Sequence, residues 1–360
     1  MSVIIHSTEF SMTGTLGPSL SMQFDENQNN KAEMVFAADF SGSLVSSRND
    51  FICSAHLEWN HENDFVWELW EAALTYRPID NLSFQIGKII FPWGIGYSHS
   101  VGDVINHKIG EQTEGFWGAL SSFYFTYDIA LSYLLSVDDF AENPELADFF
   151  PNALQGLYLS AVIGPVQAQL SISHKDKRHL RPSAGFSIDV YDSIFFSEVA
   201  WEYENPASYY DQGWQDSETK GNWLFTGGCF KSISFYPIEF TLLLEYLYYS
   251  GGYSKNQWED YLDQLIFDPI TTALVVLPEP LMRHSIDLSL LFSYDKIMDT
   301  SIAIRFLPED ESFLLSGGIN AYLSDDLDLS FIASWLSGSD KSIYGSQKQK
   351  KLGLALKYYF

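Results

Sequence analysis

The 360-residue sequence predicts an all-β fold, a closed antiparallel up-and-down transmembrane barrel of about 18 strands, in a range of roughly 16–20. Three observations lead there. Apolar and polar residues alternate with a period of two in segment after segment. Tight turns alternate with long loops between those segments. Aromatic residues make up 16% of the chain, a load that suits girdles at two membrane interfaces.

The alternation begins at residues 10–24, where Phe10, Met12, Leu16, Leu20, Met22 and Phe24 oppose Ser11, Thr13, Thr15, Ser19, Ser21 and Gln23. Strand-like segments follow at 31–44, 50–60, 66–77 and 81–91. The next are 115–125, 127–137, 153–163 and 165–174; in the last, Val166, Ala168, Leu170 and Ile172 oppose Gln167, Gln169, Ser171 and Ser173. Segments 182–191, 193–204, 221–232 and 237–250 continue the series, then 282–294, 297–307, 311–323 and 326–336. The final segment, 349–360, sets Leu352, Leu354, Leu356, Tyr358 and Phe360 against Lys351, Gly353, Ala355, Lys357 and Tyr359. Such a strand has hydrocarbon on one side and water on the other. Segments 115–125 and 221–232 are apolar on both faces, which predicts that their inner face packs against an inserted loop. Lys88 falls on the apolar face of its segment, and a bulge or an interfacial position would reconcile it.

Tight turns are read at Ser46–Asp50, Arg77–Asn81, Thr126–Asp128, Gly164-Pro165, Tyr191–Ser193, Ser232–Pro237, Tyr294–Asp299 and Ser324–Asp328. Longer connections fall at 25–30, 92–114, 138–152, 175–181, 205–220, 251–281 and 337–348, while 61–65 and 308–310 are too short for the contrast. Short periplasmic turns and long outside loops mark outer-membrane barrels, and a closed meander leaves no sheet edge in lipid. A soluble propeller would show a blade repeat of about 40–50 residues, and none is present. The whole chain, 1–360, reads as a single barrel domain.

Composition excludes other classes. No apolar run approaches the roughly 18 residues of a transmembrane helix. An apolar content of 46% excludes disorder, and a net charge of −27 excludes nucleic acid as a partner. Cys53 and Cys229 give neither a disulfide framework nor metal-ligand spacing, so no cofactor or metal is expected. The N-terminus has no signal peptide, so an exported protein would be a mature chain with an added Met.

The alternation sorts charges by face. The acidic pore-lining candidates are Glu58, Glu71, Glu198, Glu202, Glu204 and Glu245; the basic ones are Arg77, Arg305, Lys351 and Lys357. Acids cluster around 193–204 and 237–250, bases around 297–307 and 349–360, an arrangement that would set a transverse field across a pore. His56 and Glu58 share a face and read as wall lining rather than as a catalytic dyad. In 251–281, Trp258, Tyr261, Leu262, Leu265 and Ile266 fall at helical spacing, predicting a short amphipathic helix at the mouth. The basic stretch from His174 to Arg181 reads as an outside loop that contacts anionic lipid sugars or an anionic solute.

The stretch Gly87-Lys-Ile-Ile-Phe-Pro-Trp-Gly-Ile-Gly-Tyr97, followed by Gly102-Asp-Val-Ile-Asn106, resembles a Gly-Lys/Gln…Trp-Gly…Asp-(Val/Ile)-Asn pattern of outer-membrane porins and alginate-export-type barrels. The C-terminal Phe360 is similar to the general outer-membrane signature. The resemblance implies a long loop near the pore, with Trp93, Tyr97, Asp103 and Asn106 at the constriction; Trp258 and Tyr261 join them as mouth candidates on the helical spacing of 251–281. Trp93, Tyr97, Trp117 and Trp258 would stack on sugars at the mouth.

The function expected is that of a porin: passive diffusion of small hydrophilic solutes through a loop-constricted lumen in the bacterial outer membrane, without enzymatic activity. The expected partners are outer-membrane lipid, the solutes, the barrel-assembly machinery through the C-terminal strand, and a second copy in a homo-oligomer. The alternatives are a channel or exporter specific for a carbohydrate or acidic solute, a plugged barrel acting as a surface adhesin, and a barrel enzyme whose residues assemble only in space.

Overall fold

A computed structural model describes residues 9–25, 31–46, 48–60, 65–91, 93–99, 107–109, 112–136, 153–175, 179–203, 208–210, 214–216, 221–267, 282–295, 297–345 and 349–359. The wall begins with β1 (Glu9–Asp25), β2 (Lys31–Val45), β3 (Asn49–Asn60), β4 (Phe65–Ile79) and β5 (Leu82–Ile89). A small hairpin of β6 (His107–Ile109) and β7 (Gln112–Glu114) interrupts it. The wall resumes with β8 (Phe116–Thr126), β9 (Ile129–Ser136), β10 (Leu154–Ile163), β11 (Val166–Lys175), β12 (His179–Val190) and β13 (Ser193–Glu202). A second hairpin, β14 (Ser208–Tyr210) and β15 (Trp214–Asp216), precedes β16 (Asn222–Phe235) and β17 (Ile238–Tyr249). Helix α1 (Lys255–Phe267) leads to β18 (His284–Tyr294), β19 (Met298–Leu307), β20 (Ser312–Ser324), β21 (Leu327–Ser337) and β22 (Gln349–Tyr359).

Each wall strand pairs antiparallel with the next, and β1 pairs with β22 from Thr15↔Tyr359 to Asp25↔Gln349, closing an 18-stranded sheet. The 18 wall strands coincide with the 18 segments expected from alternation. The two loop hairpins are additions, too short to alternate. Closure gives every wall strand a paired neighbour on both sides, which is the condition for a sheet to stand in hydrocarbon.

The two faces differ as the period of two requires. Leu159, Leu170, Phe195, Phe225, Leu244, Ile302, Phe331 and Leu354 are exposed, all on the outward face. Inward, hydroxyls pair across strands: Ser11 with Ser43 at 2.8 Å, Thr13 with Ser41 at 2.7 Å, Ser122 with Ser132 at 2.8 Å and Ser171 with Ser183 at 2.5 Å. Cys53 and Cys229 are unbridged and belong to the outward face. At the short-turn end Tyr127, Tyr191 and Tyr236 are fully exposed, placed for a membrane interface. Tyr191 and Asp192 have φ of 51° and 60°, the two-residue geometry whose twist matches the flanking strands.

Two local expectations need correction. Lys88 lies in an unbroken register between Ala72 and Trp117, so no bulge surrounds it. It is buried, and the preceding Gly87 has φ 128°; a Cβ there would stand 2.1 Å from the Ala72 carbonyl oxygen. The bulge occurs in β4 instead, where Ser54 pairs with Glu71 and Ala55 with Leu69. It turns both Trp70 and Glu71 inward. Of the basic stretch, His174 and Lys175 end β11 and His179–Arg181 open β12, while 176–178 lie outside the described residues; Arg181 faces the wall interior, 3.8 Å from Glu202.

Adjacent positions on β22 test the assignment of faces. Leu354→Arg is expected to destabilise the folded barrel by about 2–4 kcal/mol, the magnitude for a cation on the lipid face near the midplane. Ala355→Arg, directed to the lumen, is expected to leave folding into lipid vesicles nearly unchanged. Folded and unfolded fractions separated by heat-modifiable gel migration read both.

Candidate functional site

The inner surface is organised by the chain that leaves β5. From Phe91 to His99 it runs along the inside of the wall, contacting strand after strand. Phe91 and Trp93 pack with Ala73, Ile89, Phe116, Leu120 and Leu134, an apolar cluster on the luminal side of β4, β5, β8 and β9. Trp93 is 2% exposed. Its ring lies 5.4 Å from that of Tyr158 on β10, and its Nε1 donates to Ser171 Oγ on β11 at 3.0 Å. Gly156 makes room for it, since a Cβ there would stand 2.4 Å from the indole. Gly185 on β12 lies against Gln169 and Ile95, whose nearest atoms would stand 3.1 and 3.2 Å from a Cβ there. Tyr97 stacks on Phe230 of β16 with ring centroids 5.3 Å apart and planes at 3°, and tilts against Phe196 of β13 at 5.1 Å.

The loop is then fastened by two carboxylates. Glu245 on β17 is 0% exposed and accepts hydrogen bonds from the backbone N–H groups of Ser98 and His99 at 2.6 and 2.9 Å, and from Thr226 Oγ1 at 2.9 Å. Asp287 on β18 meets His99 Nε2 at 2.7 Å, and Arg305 Nε of β19 donates to it at 2.6 Å. Arg305 also bonds Tyr344 of the last long loop. From Trp93 to His99 the loop thus spans β10 to β18. Six extended residues reach about 20 Å, while six inter-strand spacings make about 29 Å of wall; a chain lying inside the wall takes the shorter arc. Partial burial, with Glu245 close by, pushes the Tyr97 hydroxyl above its ordinary range.

A second inward element caps the other side of the mouth. Ser254 opens α1 with a capping pair, its N–H and Oγ both donating to Gln257 Oε1 at 3.0 and 2.8 Å. Tyr253, Trp258, Tyr261, Met282 and Leu307 form a buried cluster, with Ile343 and Tyr344 against it. Trp258 Nε1 donates to the Lys341 carbonyl at 2.9 Å, and Lys341 pairs with Asp263 at 2.8 Å. Leu307 belongs to the inward face of β19, so the helix packs within the mouth rather than on the outer rim.

These contacts revise the roles assigned from sequence. Glu198 and Glu245 face inward but do not line open water: Glu198 is 1% exposed and accepts from Gln169 Nε2 at 2.7 Å, and Gln169 in turn accepts from Tyr158 at 2.8 Å. Glu71 accepts from the Ile90 N–H where the loop departs. Glu202 stands beside Arg181, and Arg77 is bound to Asp50 at the turn end. Glu58 is 3.5 Å from His56, whose other nitrogen meets Asp39 at 2.6 Å and whose ring stacks on Trp70. Lys351 and Lys357 are exposed on the inward face of β22. Arg305 is tied to Asp287 of the neighbouring strand, so this basic group meets an acid beside it in the wall. Trp93, Trp258 and Tyr261 are buried in packing, Trp117 is exposed on the outward face, and Tyr97 is the one of these aromatics on the luminal side that keeps an exposed edge, at 44%. Glu204, Asp103, Asn106 and Phe360 lie outside the described residues. His99 was not found from sequence; the pattern that pointed its way was the apolar inner face of β8 and β16, which requires a covering chain.

Removing the fastening should release the loop. Glu245→Ala leaves two backbone N–H groups without their buried acceptor, a loss of about 1–3 kcal/mol for each such group, and Gly156→Val displaces the Trp93 ring. Both variants are expected to be cut by chymotrypsin between Phe91 and Tyr97 in detergent micelles, while the unaltered barrel resists. Mass spectrometry of the fragments locates the cut.

No protein-family model matches the chain, and no curated protein matches it in sequence. Solved structures do match it along its length. OccAB1 of Acinetobacter baumannii has a TM-score of 0.61 at 10% identity, covering 98% of this chain and 96% of that one. OccK5 (OpdH) of Pseudomonas aeruginosa has a TM-score of 0.59 at 10% identity, and a BenF-like porin from Pseudomonas fluorescens Pf-5 has 0.59 at 9%, each covering 98% of both chains. At these identities the likeness is one of architecture: the chain has the fold of the outer-membrane porins, a closed barrel of 18 antiparallel strands.

Proposed function

We propose that the chain, as one barrel domain in a bacterial outer membrane, is a channel for passive diffusion of small hydrophilic solutes. The observation that carries this reading is the Phe91–His99 loop, fixed to the inner wall by Glu245 and Asp287. A barrel of this strand number is wide enough for an aqueous interior, and a loop pinned against one side narrows it without filling it. The opposite wall, β1–β4 and β20–β22, presents hydroxyls together with Asp39, Glu58, Lys351 and Lys357. Transport of this kind asks the protein only for shape and field, and the reading assigns no catalytic step.

The sign of the field is set at the turn end. A luminal cavity of about 770 Å³ is lined there by Glu239, Asp295, Asp299, Asp325 and Asp328. Tyr322 donates to Asp299, and Tyr359 bonds Asp328. Five carboxylates in one vestibule favour cations. In this reading they take the place of Glu245, whose charge holds the loop, and of Glu198, which is buried against Gln169 of the wall.

A second reading is a channel specific for an acidic sugar. It takes support from one structural neighbour, OccK2 (OpdF) of Pseudomonas aeruginosa, solved in complex with glucuronate. The exposed luminal Lys351 and Lys357 offer this chain's cations for such a solute.

Planar-bilayer recording tests the proposal. The protein is expected to give ohmic steps with a reversal potential favouring potassium over chloride. Asp299→Asn with Asp325→Asn should shift that potential toward zero, and Glu245→Ala should raise the step size severalfold. Absence of conductance in both the unaltered protein and Glu245→Ala would point to a plugged barrel. Block of the steps by glucuronate would favour the acidic-sugar channel.

A further inference from the structure

The outward wall carries a groove of about 460 Å³ across β19–β22. Ile302, Gly317, Ala333 and Leu352 are consecutive partners across those four strands. Glycine and alanine lower the middle of a row that larger side chains raise on either side. Leu315 and Trp335 extend the lining toward the loop end. There the groove meets Lys350, whose Nζ lies 5.9 Å from the centre of the Trp335 ring, while Phe313 packs its edge on the same ring at 5.7 Å. Lys350 opens the last strand just after a long outside loop, so its ammonium stands at the outer rim of the apolar band. A tryptophan and a lysine at that depth occupy the headgroup level, the lysine reaching water along its apolar stem.

We propose that this groove binds a single outer-leaflet lipid with an anionic phosphate headgroup, one acyl chain lying over Gly317 and Ala333 and the phosphate against Lys350. Charge complementarity chooses the occupant. The chain has a net charge of −27, so an anionic lipid meets general repulsion except where a cation is presented. Here a cation stands directly above an apolar depression. A two-fold contact with a second copy centred on the groove would instead bring two Lys350 ammonium groups together. A second outward groove, of about 350 Å³ over β4, β5, β8 and β9, is lined by residues such as Leu74, Phe84, Ile86 and Leu135 and presents no cation.

Native mass spectrometry of the full chain in mild detergent tests this, with diphosphorylated lipid A as the probe and phosphatidylethanolamine as the neutral comparison. The unaltered barrel is expected to retain one lipid A in preference to phosphatidylethanolamine. Lys350→Gln should weaken lipid A retention by about fivefold, and Gly317→Leu with Ala333→Leu should abolish the preferred copy by filling the groove. Lys350→Gln lies on the surface and keeps the barrel foldable, which heat-modifiable migration verifies. Equal retention by the unaltered protein and Lys350→Gln would overturn the proposal. So would a dimer that the groove-filling pair dissociates, because the groove would then be an interface between copies.

Discussion

Glu245 is the group on which the interior depends. A carboxylate withdrawn from water is strongly disfavoured unless its oxygens are met by donors. Here the donors are two consecutive backbone N–H groups of a loop that comes from the far side of the barrel, joined by the Thr226 hydroxyl. The dependence is mutual. Without the loop, the carboxylate would face the lumen and its water; without the carboxylate, the N–H groups of Ser98 and His99 would have no partner in the wall. Charge-assisted bonds of this kind are short and directional, so they fix the place of the chain as well as holding it. The Asp287 carboxylate repeats the device one strand along with side chains, joining His99 of the loop to Arg305 of the wall.

The fold was legible in the sequence because the barrel's constraint is local. Each strand must alternate between hydrocarbon and interior, and each short turn must reverse the chain, so both features are written within a few residues of one another. Leu352 through Tyr358 on one face and Lys351 through Lys357 on the other are sufficient to orient β22. The interior was legible only to the level of direction. Alternation correctly turned Glu198, Glu245 and Arg305 inward, but a period of two does not distinguish a carboxylate facing water from one facing the N–H of Ser98. The contact joins residues 147 apart in the chain. The bulge at Trp70 and Glu71 was hidden for a related reason: an added inward residue alters the pattern only after it has occurred.

The one indirect signal was apolarity where polarity was due. Phe116, Leu120, Leu224 and Phe230 are luminal by register, yet they are residues of a packed core. The loop covers Phe116, Leu120 and Phe230, and Leu224 packs among Ala200, Leu247 and Tyr249 of the wall. Their positions trace where the lumen is occupied, just as the hydroxyl pairs of β1 and β2 trace where it is open. The acidity of the chain divides likewise. Some carboxylates are structural ties, and others, gathered at the turn end, line a luminal cavity.

The wall glycine at Gly156 has an implication for how such proteins change over time. Trp93 occupies space that Gly156 leaves vacant, so lock and key are written in separate stretches of one gene. Transplanting the loop alone into a barrel with a side chain at that position would produce a collision instead of a new selectivity. A change of loop bulk at Trp93 in this barrel therefore calls for a matching change in the wall, bulk lost on one partner as it is gained on the other.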